Sequence, residues 1–121
     1  MDDELREFLR HSLRSVWNIE LLLWLYRHTG RGWHAADLVQ EMRASDMVVG
    51  QGITSLQQAG LIQIEAMGTC RYSPASPELD RLVQQLERVY RERPSVVTRA
   101  LFAPSNEKLA TFADAFRLKK D

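Results

Sequence analysis

The side chains with the most chemical reach in this sequence are amides and hydroxyls at helical spacing. Met47, Gln51, Thr54 and Gln58 recur every three or four residues with Ser55 beside them, so on a helix they share one face. A glutamine amide offers a donor and an acceptor together and can bond an adenine edge bidentately. A threonine bonds a base or touches a thymine methyl, and a good bidentate pair contributes roughly 1–3 kcal/mol of discrimination. A solvated helix face uses the same residue types, and that plainer reading stands beside base readout. Just ahead, Ser45 or Asp46 offers an N-cap, and Ser45 would join the same polar set. No Lys or Arg lies within residues 45–59. The nearby cations are Arg43 before this segment and Arg71 after it, the latter with Thr69 close by, and Arg31 lies further back. Guanidinium groups suit phosphate contacts that position a protein on a duplex. A solvated cation is the alternative at each.

Gly50 and Gly52 sit inside this same segment, where each lowers helix stability by about 1 kcal/mol relative to Ala. Gly52 falls near the apolar side and reads as a helix-packing glycine. For Gly50, close backbone approach to phosphate, a ligand or a partner and tight packing against a neighbouring helix both remain open.

Other chemistries find no frame. The sequence has no Gly-rich phosphate loop, no nucleophile elbow and no paired carboxylates in a recognisable setting, so it does not read as an enzyme. His11, His28 and His34 are scattered and have no metal-ligand spacing with Cys70, so no metal and no cofactor are expected. Cys70 is the one cysteine; it cannot form an internal disulfide and reads as a structural thiol rather than a redox switch. Trp17, Trp24 and Trp33 read as core rather than as the lining of a ligand pocket. Arg81, Gln84, Arg88 and Arg91 would line one side of a long helix, but Glu78, Asp80, Glu87 and Glu92 lie among them, which favours an ion-paired, solvated face.

The elements that must position these residues follow from periodicity. From Asp2 to about His28, Leu5, Phe8, Leu9, Val16, Ile19, Leu23 and Tyr26 keep helical spacing, as one helix or as two with a fresh cap at Ser12 or Ser15. Residues 19–26 are apolar almost all round and predict a central core helix. Gly30 is expected to supply a left-handed stop, and Gly32 to let the chain turn into Trp33. A second helix is predicted over residues 35–44. A third carries Val49, Ile53 and Leu56 toward the core and ends at Gly60. Residues 61–65 alternate as a strand, Gly68 and Thr69 turn the chain, and residues 70–72 return until Pro74. Ser76 caps a longer helix with Pro77 at its first position, Pro94 ends it, and a short helix follows. Ser105 caps a last helix bearing Leu109, Phe112, Ala113 and Phe116, closed by Lys119 and Lys120. The expected class is mainly α with a small β-hairpin.

Sixteen basic residues balance sixteen acidic ones, which predicts no indiscriminate DNA binding, because that affinity scales with phosphates neutralised. The longest apolar run, residues 21–26, is far too short to cross a bilayer, and the acidic start Met1-Asp2-Asp3-Glu4 is opposite to a secretory leader. With the lone cysteine, these features predict a cytoplasmic protein without membrane association.

The run Leu38-Val39-Gln40-Glu41-Met42, then Val49, Ile53 and Leu56, then Ala59-Gly60-Leu61-Ile62 resembles the core signature of winged-helix regulators of the MarR and PadR-like groups. The resemblance covers residues 15–72. It implies a winged helix-turn-helix over residues 1–75 and a helical extension over 76–121 within one compact unit. Residues 45–59 would take the recognition-helix position and residues 68–71 the wing tip. It also implies a homodimer built by the first helix or the C-terminal helices, binding double-stranded DNA in transcriptional control. Arg43, Ser45, Gln51, Thr54, Ser55, Gln58, Thr69 and Arg71 would then form the DNA-binding set. The alternative keeps the fold as a protein-interaction module that does not itself bind DNA and docks a partner through its C-terminal helices.

Overall fold

The computed structural model describes residues 2–102. The predicted helix after Ser105, with Leu109, Phe112, Ala113 and Phe116, lies outside them. Helix α1 (Asp3–Glu7) is capped by the Asp2 carboxylate, which accepts from Leu5 N–H, and runs straight into a π-helical segment (Phe8–Leu13). That segment closes with Arg14 N–H donating to Leu9 O, five residues back. Arg14 turns the chain at φ 72, and the Ser15 hydroxyl then caps α2 (Val16–Arg27) by accepting from Asn18 N–H. Of the two sequence alternatives, the two-helix form with the Ser15 cap is therefore the one adopted. The Asn18 amide reaches back to Leu13 O at 2.7 Å and satisfies the end of the preceding segment.

α2 is the core helix, with Ile19, Leu21, Leu22, Leu23 and Leu25 all buried. It ends at His28 with φ −127, and Gly30 does not hold a positive φ, so the expected glycine stop is corrected. The end is tied instead by side chains. His28 Nδ1 is 2.7 Å from Trp24 O, and Trp33 Nε1 donates to His28 O at 3.1 Å. Helix α3 (Ala35–Met42) and helix α4 (Asp46–Gln58) follow, joined by a turn in which Arg43 takes φ 53. Leu38 from α3 joins the core with Val49, Ile53 and Leu56 from α4. Each such buried aliphatic side chain contributes roughly 1.5–3 kcal/mol.

Gly60 at φ +76 ends the α4 turn and sends the chain into β1 (Ile62–Ile64). β1 pairs antiparallel with β2 (Cys70–Tyr72), Ile62 opposite Tyr72 and Ile64 opposite Cys70. Trp33 adds a one-residue bridge on the far side of β2, exchanging both backbone bonds with Cys70 at 2.9 and 2.7 Å. Glycine at 32 leaves room for the hairpin side chains here, because a Cβ would overlap the Glu65 carboxylate and lie 2.7 Å from Thr69 Cβ. Helix α5 (Pro77–Glu92), capped by Ser76, returns across α1 and α2, and α6 (Pro94–Phe102) packs on α5. Polar ties fix α5 in place: Arg81 to Glu4, Gln85 to Asp2, Tyr72 to Asp80, and Tyr90 to Glu20. Along this helix Arg91 pairs with Glu87 and the Gln84 amide donates to Asp80, while Arg88 stays exposed, so the mixed face is solvated and ion-paired in part.

Candidate nucleic-acid interface

α4 divides cleanly by exposure. Val49, Gly52, Ile53 and Leu56 are buried, while Met47, Gly50, Gln51, Thr54 and Gln58 are exposed and Ser55 is half-buried. Burial on one side therefore sets the orientation of the polar row on the other. Gly52 explains how closely α4 lies on α2: a Cβ there would meet Leu21 Cδ2 at 2.8 Å and Asn18 Oδ1 at 3.0 Å. Gly50 faces open space, with nothing within 4 Å of a Cβ.

The other residues of the set have different settings. Ser45 is the N-cap, its hydroxyl accepting from Val48 N–H at 3.1 Å. Thr54 donates its hydroxyl to Gly50 O at 3.1 Å, so its methyl and the oxygen lone pairs are what it presents outward. Arg43 is exposed at the α3–α4 turn. The hairpin turn is Ala66-Met67-Gly68, with Gly68 at φ +83 and Met67 82% exposed at the tip. Thr69 is half-buried and donates to Glu65 Oε1 at 2.9 Å. Arg71 folds back across the hairpin. Its Nη1 donates to Thr29 O at 2.6 Å and its Nε to Glu65 Oε1 at 3.4 Å, which ties β2 to the loop after α2.

Around this surface, Arg31 is also engaged, stacked 4.0 Å over the Trp33 ring and 3.1 Å from Asp37 Oδ2. Cys70 is buried beneath the hairpin, and burial pushes its thiol pKa up, away from the thiolate that redox chemistry uses. Trp24 and Trp33 are half-buried and meet edge to face at 5.6 Å. Trp17 does not join the core: it is 45% exposed and, with Val16, Glu20, Trp24, Arg27, Glu41 and Met42, lines an open cavity of about 360 Å³. The sequence expectation for Trp17 is corrected here. Its position in the first turn of α2 puts it on the outward side, while Ile19, Leu22 and Leu23 take the core side.

No family model matches this chain, and no curated protein matches it. Among solved structures, it is similar to a point mutant of S. aureus MepR, a MarR-family winged-helix regulator, bound to an oligodeoxyribonucleotide. The two agree with a TM-score of 0.53 at 15% identity, over 97% of this chain and 88% of the other. The fold is a winged helix-turn-helix. Within it, α3 and α4 form the helix-turn-helix and β1–β2 the hairpin wing.

Two features of this winged helix escaped the sequence. The third strand is a single residue, Trp33, whose pairing with Cys70 no local pattern announces. The retracted Arg71 likewise depends on Thr29, a residue remote in sequence. The one local signal was Gly32, whose missing side chain makes room for Glu65 and Thr69.

Proposed function

We propose that this protein is a sequence-specific, double-stranded DNA-binding regulator of transcription, acting in the cytoplasm as a homodimer. α4 enters the major groove with Gln51, Thr54, Ser55 and Gln58 toward base edges, Ser45 at its amino end, and Arg43 on the backbone. Thr69 and Arg71 brace the wing that lies alongside. The observation that supports this reading most is the two-sided α4. Its buried row holds the helix against α2, and the exposed row Met47, Gln51, Thr54 and Gln58 faces outward at the position where winged helices present a reading surface. No helix of the described residues is long and apolar enough to cross a membrane.

The test is selective enrichment of genomic DNA fragments on the purified protein, repeated with the Gln51→Ala, Thr54→Ala double variant. Enrichment of a common sequence by the parent and its loss in the variant is the expected result. Equal recovery of all fragments by both proteins would overturn it. A second reading is favoured by the absence of any cation in α4 together with Met47, 70% exposed at its start: a winged helix that docks another protein. Under that reading the parent retains no DNA even at low salt. Sedimentation across a concentration series tests the homodimer.

A further inference from the structure

Among the described residues, two that are not glycine hold a positive φ, and both are arginines: Arg14 at φ 72 and Arg43 at φ 53. The left-handed region disfavours an L side chain and suits glycine, so a long cationic side chain there calls for a reason. Both residues adjoin α4, at opposite ends. Arg43 ends α3, two residues ahead of the Ser45 cap. Arg14, between the π-helical segment and α2, walls a polar cleft of about 270 Å³ with His11, Ser12, Ser55, Gln58 and Ala59. Gln58 thus belongs both to this cleft and to the exposed row of α4.

Neither arginine is neutralised by a carboxylate. Of the arginines around α4, Arg31 and Arg71 are ion-paired, whereas Arg14 and Arg43 make no ion pair with the described residues. Arg88, Arg93 and Arg99 make none either, but they lie in or between α5 and α6. Arg14 Nε donates to His11 O at 3.2 Å, which steadies the side chain without neutralising it. The His11 ring is occupied elsewhere, its Nε2 lying 2.9 Å from Glu7 Oε2. The thirteen residues of α4 span roughly 20 Å. A major groove is about 12 Å wide, so a helix lying across it carries its two ends to opposite phosphate rails.

We propose that Arg14 contacts a DNA phosphate and, with Arg43, clamps the backbone at both ends of α4, supplying the cations that the helix itself lacks. The proposal rests on the DNA-binding reading above. It is tested by salt-dependent binding of the full chain to a mixed-sequence DNA duplex and to an enriched fragment. Arg14→Gly removes the guanidinium and suits the left-handed backbone, so its thermal midpoint should equal or exceed that of the parent. Its log K against log salt slope should fall by about 0.9 on both duplexes, the increment for one phosphate, while the preference for the enriched fragment stays unchanged. Arg14→Lys should restore most of the slope, and Arg88→Ala, removing an exposed cation from α5, should leave it unaltered. An Arg14→Gly variant that is folded and binds with the parental slope overturns this proposal alone. A parent that binds neither duplex overturns the DNA-binding reading and this one with it.

Discussion

Gly50 and Gly52, two residues apart on α4, carry opposite burdens. Alanine at Gly50 gains the helix propensity that glycine lacks and meets nothing, so Gly50→Ala should raise stability by about 1 kcal/mol. Alanine at Gly52 gains the same propensity but drives its methyl into buried Leu21 and the Asn18 amide, and overpacking of that kind costs about 1–3 kcal/mol. Gly52→Ala should therefore lower the urea midpoint while Gly50→Ala raises it; equal shifts would mean that α4 does not lie this close to α2. Arg71 invites a different substitution. Arg71→Ala should destabilise by about 1 kcal/mol, since the ion pair to Glu65 is screened by solvent and the bond to Thr29 O is the stronger tie. Amide exchange over β1 and β2 should quicken more than exchange over α2. From residue types alone, the chemistry of Gln51 and Thr54 was readable, because helical spacing fixes which residues share a face. The bond of Thr54 to Gly50 O and the retreat of Arg71 were not, because each depends on a rotamer chosen by neighbours rather than by composition.

At the scale of elements, legibility follows the range of the interaction. Ser15, Ser45 and Ser76 each cap the helix that follows through a backbone N–H three residues on, so these starts were written locally. The Trp33–Cys70 bridge and the binding of α5 to α2 join distant segments and left no periodic trace. One such clasp has a pH signature. Tyr90 of α5 donates to Glu20 of α2 at 2.6 Å, and burial first, then this bond and the Glu20 charge, push its pKa up to about 12 from an ordinary 10. A raised phenol pKa means that the folded state favours the neutral form. The stabilisation is thus complete below pH 10 and is lost as pH rises through about 12. Replacing Tyr90 with Phe should flatten the alkaline limb of a stability profile over that window. An unchanged limb would show that Tyr90 is not bonded to Glu20 in solution. At the other end of the profile, the amide of Gln85 and the backbone N–H of Leu5 hold Asp2 below the usual carboxylate range. Its contribution is therefore present above that range and fades on acidification.

Charge balance governs the whole molecule. Sixteen cations against sixteen anions leave no net field to gather DNA from a distance, and most arginines near the winged helix are already committed to carboxylates. A DNA-binding protein built this way relies on a few contacts in the right place. With Arg14 and Arg43 as the phosphate contacts of one protomer, binding should follow a shallow slope of about −2 in log K against log salt per half-site, rather than the steep fall of a basic binder. Binding to random duplex should then vanish at moderate salt, because almost nothing but those two phosphates supports it, while binding to a cognate fragment persists on its base contacts. Titrations of both duplexes across a salt series read this directly. A steep slope would mean that many more phosphates are neutralised than the exposed arginines beside α4 provide, and the partition between positioning at the helix ends and reading along its face would be wrong.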